Sequence, residues 1–464
     1  MTRKKTRRNR KKNFQRFWKL GSKDLNTQYF DVNADGVLIV REGNYQYNIM
    51  DLVKRFGTSL EIAFPFIIEE RLNELITSFQ QNIKANKYKG KFYFHYPMKV
   101  NQNKEFVLPV ISEGGHIEVG SSNELWLIKR LWEQDQFSSK IKVICNGPKT
   151  RKYLGLIEEL KGKGLDIIPI IENFSELDYL RGYRGDLGIR VDPEMKIKSH
   201  WDKRVDQFGF NFKDLVDLGR IRNLKVLHYH ASSQIMSLND LVGSAKLAMQ
   251  YYCKLKQINP SLDTLDLGGG MAIPYEKKKM YGMREVVKKL VKNLRLAADR
   301  EQLPHPNIIV EWGRYIVAPA QITIYRVLAE KDIKKAAVKK WYFIDGSFMN
   351  DLLDTWAIHQ KWHVIPANYM HKTKFTRVWL AGSSCDSDDK YTAGGSYILL
   401  PKIEGLENGE ALFITILDTG AYQDALSSHH CLLSNPAKLI AQNGVITVAR
   451  KRETAEDVGK LFGW

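Results

Sequence analysis

Lys99 ends the stretch Phe92-Tyr-Phe-His-Tyr-Pro-Met-Lys99. A run so apolar and aromatic predicts a buried strand, and Pro97, with no N–H to give, predicts its end. A lysine carried to a cleft by a strand end can lose its proton through desolvation and attack a carbonyl as a free amine. Taken alone, the residue reads better as a solvated strand-end lysine. Other residue types shift that balance. Asp266-Leu-Gly-Gly-Gly270 follows another apolar run, and three glycines let backbone N–H groups approach an anion closely. Glu311 follows a third run, Asn307-Ile-Ile-Val, and offers a carboxylate. His230 ends a fourth, where in isolation it is best read as a core histidine satisfied by a backbone carbonyl.

These residues need elements to bring them together. Strand-like runs recur at residues 92–96, 116–119, 141–145, 167–171, 187–191, 225–230, 264–267 and 307–310. Segments between them, such as 123–133, 152–162 and 283–300, carry apolar residues at three- and four-residue spacing and predict helices. Eight such repeats in about 220 residues predict an α/β fold, a TIM (β/α)8 barrel; a doubly wound sheet alternates too, with fewer strands. Catalytic groups of a barrel gather where strands run into the following loops. Those positions hold Lys99, Glu118, Asn146, Glu172, Arg190, His230, the triplet Gly268, Gly269 and Gly270, and Glu311. The loops after strands seven and eight are this fold's usual phosphate site. An amine nucleophile, a phosphate cradle and a carboxylate at the eighth strand together predict pyridoxal 5′-phosphate as cofactor. Its aldehyde would join Lys99 as a Schiff base, Glu311 would keep the pyridine nitrogen protonated, and His230 would lie flat against the ring. No metal is predicted.

At 464 residues the chain exceeds one hydrophobic core, and 44% apolar residues supply ample interior for two domains. No apolar run approaches the roughly 20 residues of a membrane span, and no secretory segment follows the basic start. Cys145, Cys253, Cys385 and Cys431 stand far apart with no CxxC pair, the pattern of reduced thiols in a cytoplasm. The net charge is +19, of which residues 1–12 contribute eight. Residues 1–20 are expected to form a disordered solubilising tail. A nucleic-acid partner is expected only through this tail, where Phe14, Phe17 and Trp18 are the sole aromatic residues near the basic ones. The barrel is expected over 50–330, with a helix near 50–56. Short strands at 341–344, 375–380, 412–417 and 444–449 predict a β domain over 331–464, joined by N-terminal strands within 21–49. The charged stretch 331–340 is the expected boundary.

The chain resembles the fold-type III, pyridoxal-phosphate-dependent basic amino-acid decarboxylases, most closely the biosynthetic arginine decarboxylases. Tyr96-Pro-Met-Lys-Val-Asn-Gln102 resembles their cofactor-lysine segment, and His228-Tyr-His-Ala-Ser-Ser-Gln-Ile235 resembles HFHIGSQI. Glu311-Trp-Gly-Arg314 matches E-x-G-R, Asp354-Thr-Trp-Ala-Ile-His-Gln360 resembles DAWAIDQ, Cys385-Asp-Ser-Asp-Asp389 matches CDSDD, and Gly420-Ala-Tyr422 matches GAY. The resemblance implies that Lys99 carries the cofactor and that His230 stacks on its ring. It implies phosphate contacts from Ser233, Gly268, Gly269, Gly270, Gly313, Arg314 and Tyr422. Glu118 and Arg190 would support the histidine side of the pocket, and Glu311 would meet the pyridine nitrogen. Cys385 would return a proton to Cα, and Asp386, with Asp388 nearby, would face the distal cation of a basic amino acid. The Cys-Asp loop would reach a neighbouring subunit's site, which implies a homodimer or a larger homo-oligomer.

Two positions depart from the family pattern. Ser232 stands where the family has Gly, and His359 stands where it has Asp, near the distal end of the substrate. The chain is also shorter than the bacterial enzymes and lacks an inserted helical segment. The reading that follows is L-arginine decarboxylation to agmatine and carbon dioxide, a step of polyamine synthesis. The alternatives are decarboxylation of lysine, ornithine or diaminopimelate, or a silent homologue that regulates such an enzyme.

Overall fold

A computed structural model describes residues 14–134, 140–194, 207–276, 279, 281–334, 337–402 and 411–464. Eight parallel strands close on themselves: β1 (Phe92–Pro97), β2 (His116–Val119), β3 (Lys142–Cys145), β4 (Asp166–Ile171), β5 (Leu187–Val191), β6 (Leu224–Tyr229), β7 (Thr264–Asp266) and β8 (Asn307–Val310). β8 returns to β1 in the register Ile308 to Phe92, Ile309 to Tyr93 and Val310 to Phe94. The TIM barrel expected from the sequence is therefore present, each strand within a residue or two of its expected place. Parallel strands are buried on both faces, so they read as continuous apolar runs, which is what made them legible.

Inside the barrel Ile144, Ile168, Ile170, Val226 and Ile309 form one cluster, with Tyr93 packed against it. Side chains along a strand share a face at every second residue. One step further toward the carboxyl end, the same inward columns reach Asn146, Glu172, His228 and Glu311. Strand geometry thus assembles polar groups above an apolar plug. The helices that follow begin where the loops supply caps. Ser121, Thr150, Asn173, Asn211 and Ser237 each accept a backbone N–H of their helix's first turn.

The chain divides into two compact units, Ile68–Ile273 with Met280–Ile316, and Met1–Ile67 with Pro274–Lys279 and Val317–Trp464. These divisions fall away from the expected 50 and 330. The reason is local: strand Leu60–Ala63 and the long strand Gln321–Asp332 pair with each other, so both belong to the β unit. The charged stretch 331–340, expected as a boundary, instead runs from the end of Gln321–Asp332 to its hairpin partner Lys340–Ile344. A ten-stranded sheet dominates this unit. The early strands Phe30–Val32, Leu38–Glu42 and Tyr45–Asn48 form a separate three-stranded sheet within this unit. It is tied to the rest of its unit by bonds such as Leu38 N–H to Ala367 O, 2.9 Å.

The basic residues 1–12 lie outside the described residues. The end of the expected tail is packed: Trp18 is buried, its Nε1 donates to Met370 O at 3.0 Å, and Phe17 stacks on Phe375 at 4.6 Å. Of the aromatic residues considered as base-stacking groups, Trp18 serves the protein's own core, while Phe17 stays exposed on one side.

Candidate active site

Lys99 sits in a short turn, Met98–Val100, directly after β1. The Tyr96 hydroxyl donates to Asn101 O at 2.9 Å, and Gln102 Nε2 donates to Glu124 Oε1 at 2.9 Å, which anchors the turn to helix Ser122–Glu133. The lysine ammonium meets Glu118 Oε2 at 3.0 Å; the lysine side chain is 53% exposed and the glutamate 1%. Glu118 aims the exposed amine. Burial pushes the Glu118 carboxyl up to about 7, against a downward pull from Lys99 and with a further push from Glu311.

Glu311 follows β8 and is buried. Its Oε1 accepts from Asn146 Nδ2 at 3.1 Å and faces His228 Nε2 at 3.4 Å. Asp266, at the end of β7, is fully buried beside it and accepts the Gly268 N–H at 2.8 Å. Two adjacent buried carboxyls cannot both ionise. Burial and then Glu311 push Asp266 well above the usual range, so Asp266 keeps the proton. Burial also pushes Glu311 up, but His228, Lys99 and His230 pull it further down, and it stays ionised. Burial lowers His228 itself, against an upward pull from Glu311, and its Nε2 faces Glu311 across 3.4 Å. The donor atoms of His228, Asp266 and Glu311 lie within 4.8 Å of one another. With one proton on Asp266 the carboxyl pair carries a single negative charge, the charge that a protonated pyridine nitrogen requires.

Gly269 N–H donates to His230 Nδ1 at 3.1 Å, which leaves the proton of a neutral ring on Nε2. Gly268 has φ +61°, and a Cβ there would lie 2.8 Å from Tyr229 O, so only glycine lets this loop lie against the end of β6. Two of the three glycine N–H groups are thus used inside the loop, to Asp266 and His230, and the expected cradle is narrower than three. Gly313 has a packing role too: a Cβ would fall 2.7 Å from Pro97 Cγ, so its absence seats the helix Gly313–Val317 against the lysine segment. Arg314 follows, buried, and Ser233 is partly buried next to a wholly buried Ser232. Arg190, expected with Glu118 on the histidine side, pairs through Nη1 with Glu172 Oε2 at 3.3 Å and lies over the Phe208 ring at 4.5 Å.

A phosphorylated pyridine aldehyde suits this set. Glu118 Oε1, Asn146 Oδ1, Arg190 Nε, both ring nitrogens of His228 and Ser232 Oγ are buried with no hydrogen-bond partner among the described residues. Their gathering at one end of the barrel is the pattern of a site built for a polar molecule. Sequence reasoning missed the service of His228 and Asp266 to Glu311. The signal was available: both belong to inward columns by the two-residue period.

The remaining candidates lie in the β unit. Cys385 is exposed in the loop between strands Phe375–Ala381 and Lys390–Tyr391, with Sγ 3.6 Å from Cys431 Sγ. Asp386 is partly buried and meets His430 Nε2 at 3.2 Å, while exposed Asp388 pairs with Lys390 at 3.4 Å. Asp389 ties the loop internally, accepting from Phe348 N–H at 2.7 Å and Ser384 N–H at 3.0 Å. His359 is exposed with φ +53°, and Tyr422, partly buried with φ +70°, precedes the helical turn Gln423–Leu426.

Residues 70–318 match the family described as pyridoxal-dependent decarboxylase, pyridoxal binding domain. A biosynthetic arginine decarboxylase of Rhodopirellula baltica is 26% identical over 355 residues, 68% of this chain and 52% of that protein. An arginine decarboxylase of Avena sativa is 25% identical over 515 residues, covering 88% of this chain and 84% of its own. The chain thus spans about half the length of some relatives and most of others. Among solved structures, a biosynthetic arginine decarboxylase of Campylobacter jejuni superposes with a TM-score of 0.82 at 20% identity, over 96% of this chain and 92% of that one. A diaminopimelate decarboxylase of M. jannaschii superposes with a TM-score of 0.79 at 22% identity, over 94% and 97%. At those identities the superpositions speak for the fold.

Proposed function

The chain belongs to the pyridoxal-dependent decarboxylases, and from that premise we propose that it removes carbon dioxide from a basic amino acid, L-arginine foremost, giving agmatine. The observation that carries this is the buried Glu311, ringed by Asn146, His228 and Asp266 on the barrel that also presents Lys99. Bound pyridoxal phosphate supplies the electron-accepting ring that carbon dioxide loss requires.

Lys99, aimed by Glu118, would hold the cofactor through its amine, Glu311 would face the pyridine nitrogen, and His230, fixed by Gly269, would present a flat face. Ser233, Gly270, Arg314 and Tyr422 take the phosphate, a role for which the buried and unpartnered Ser232 Oγ is an added candidate. Asp386 meets the distal cation of the substrate and Cys385 returns a proton to Cα, each across the boundary of a homodimer. With its four cysteines as free thiols, and no described helix long and apolar enough to cross a membrane, the protein fits a cytoplasmic enzyme.

A second reading rests on His359, which stands where the family carries an acid. Without that carboxylate a shorter diamino acid, such as lysine, ornithine or diaminopimelate, gains on arginine. One experiment separates these: purified protein supplied with pyridoxal phosphate is assayed for amine product across the four amino acids. Agmatine as the fastest product supports the proposal. A visible cofactor band with no amine from any of them would show a silent homologue.

A further inference from the structure

We propose that Cys385 and Cys431 form a reversible disulfide, making the pair a covalent modification site that silences the enzyme in response to low-molecular-weight disulfides. The proposal that it silences the enzyme rests on Cys385 acting in decarboxylation as proposed above; the bond itself does not.

The two sulfurs lie 3.6 Å apart, and both residues are exposed in the single chain. A disulfide brings sulfurs to about 2.04 Å, so the change needed is a small movement of two side chains. They are 46 residues apart in sequence, and each loop is held by a separate buried clamp. Next to Cys385, the Ser384 N–H is taken by Asp389, which is buried and also accepts from Phe348. Next to Cys431, His430 is gripped on both sides by fully buried Asn350: His430 N–H donates to Asn350 Oδ1 at 3.1 Å, and Asn350 Nδ2 donates to His430 O at 3.1 Å. A third tie joins the loops directly, His430 Nε2 to Asp386 Oδ2 at 3.2 Å. Cys431 itself sits at φ +56°, a left-handed conformation unusual for a residue with a side chain, and there its sulfur meets Cys385. The other two cysteines, Cys145 and Cys253, are buried and far from this arrangement in burial and reactivity.

The chemistry balances as ordinary thiol–disulfide exchange. The thiolate of one cysteine attacks glutathione disulfide, forming a mixed disulfide and expelling one glutathione thiolate. The thiolate of the other attacks the protein sulfur of that bond, forming Cys385–Cys431 and expelling the second. The protein loses two electrons and two protons, and two glutathione thiols leave carrying both. The hydrogen bond with Cys431 raises the Cys385 thiol above its ordinary value, so the reaction quickens as pH rises through the thiol range.

The full-length protein, loaded with pyridoxal phosphate, is equilibrated in glutathione buffers of rising disulfide content, quenched in acid, alkylated and mapped by mass spectrometry. The expected result is a Cys385–Cys431 cross-linked peptide two hydrogens lighter than its parts, with Cys145 and Cys253 alkylated. Decarboxylation falls in step with the cross-link and returns with dithiothreitol. Cys431→Ser keeps its activity at disulfide levels that silence the native protein, because a mixed disulfide on Cys385 then reverses. Absence of the cross-link across the series overturns the proposal, as does a Cys431→Ser protein that loses activity over the same range as native. The cross-link is read without turnover. A linked protein that shows no amine production when reduced would therefore overturn the decarboxylase reading and the silencing, and leave the modification site standing.

Discussion

At the scale of single residues the site turns on where one proton sits. Glu311 and Asp266 share a buried space, and the arrangement serves a pyridine nitrogen only if Glu311 is the ionised member. Substitution separates the two carboxyls. Glu311→Gln removes the charge and should lower kcat by about 100- to 1000-fold, the usual cost of deleting one preorganised electrostatic partner. Asp266→Asn copies the protonated acid, keeps an oxygen for Gly268 N–H, and should cost less than about tenfold. A larger loss from Asp266→Asn than from Glu311→Gln in kinetic assays would place the charge on Asp266 instead. Lys99→Ala should abolish the visible cofactor band and reduce turnover by several orders of magnitude; near-native turnover would remove the central assignment. Glu311 and Lys99 were legible in the sequence because each closes an apolar run. His228 was hidden by its position inside one, where a histidine reads as core until the inward columns are drawn.

At the scale of elements, the β unit carries a pH dependence of its own. Asp351 is buried; its Oδ2 accepts from Tyr325 hydroxyl at 3.1 Å and Ser347 N–H at 2.9 Å, and burial pushes its carboxyl up to about 7. The folded state therefore binds this proton more tightly than the unfolded chain, whose carboxyl titrates near 3.9. Its stabilising contribution is whole below that value and is lost as pH rises through about 7, at no more than about 1.4 kcal/mol per pH unit. Glu61, lifted to about 8 by burial and by Asp424, slopes the same way. Asp351→Asn keeps an oxygen for both donors and should flatten the fall in denaturation midpoint between pH 5 and pH 8. An unchanged slope would mean that Asp351 is already ionised when folded. Elements were legible unevenly, for a physical reason. Barrel strands announce themselves by continuous apolar runs, and Phe375–Ala381 and Val445–Arg450 by their turns. Leu60–Ala63 is four residues long, and Gln321–Asp332 follows the barrel's last helical turns with no turn signal between. Both were invisible until their pairing showed that they belong to the large sheet.

At the scale of the whole molecule, a net charge of +19 looks hostile to a cationic substrate. Screening decides otherwise. The Debye length at physiological salt is about 8 Å, so charges farther than that from a pocket are largely screened, while a contact to guanidinium or ammonium is worth about 1.5–3 kcal/mol. Asp386→Asn should accordingly lower kcat/KM for the basic substrate by roughly 10- to 100-fold, and removal of residues 1–12 should leave it unchanged. A larger effect from the deletion would sink the local-acid argument. The same loop tests the assembly. If Cys385 and Asp386 complete a neighbouring subunit's site, Lys99→Ala and Cys385→Ala homodimers are each inactive. Random exchange makes half of the dimers mixed, and each mixed dimer holds one site with both residues intact, so the mixture should regain about a quarter of native activity. Exchange is verified independently by differently tagged subunits. If tagged subunits exchange and activity stays at the level of either variant alone, Lys99 and Cys385 serve the same subunit and the site is not shared.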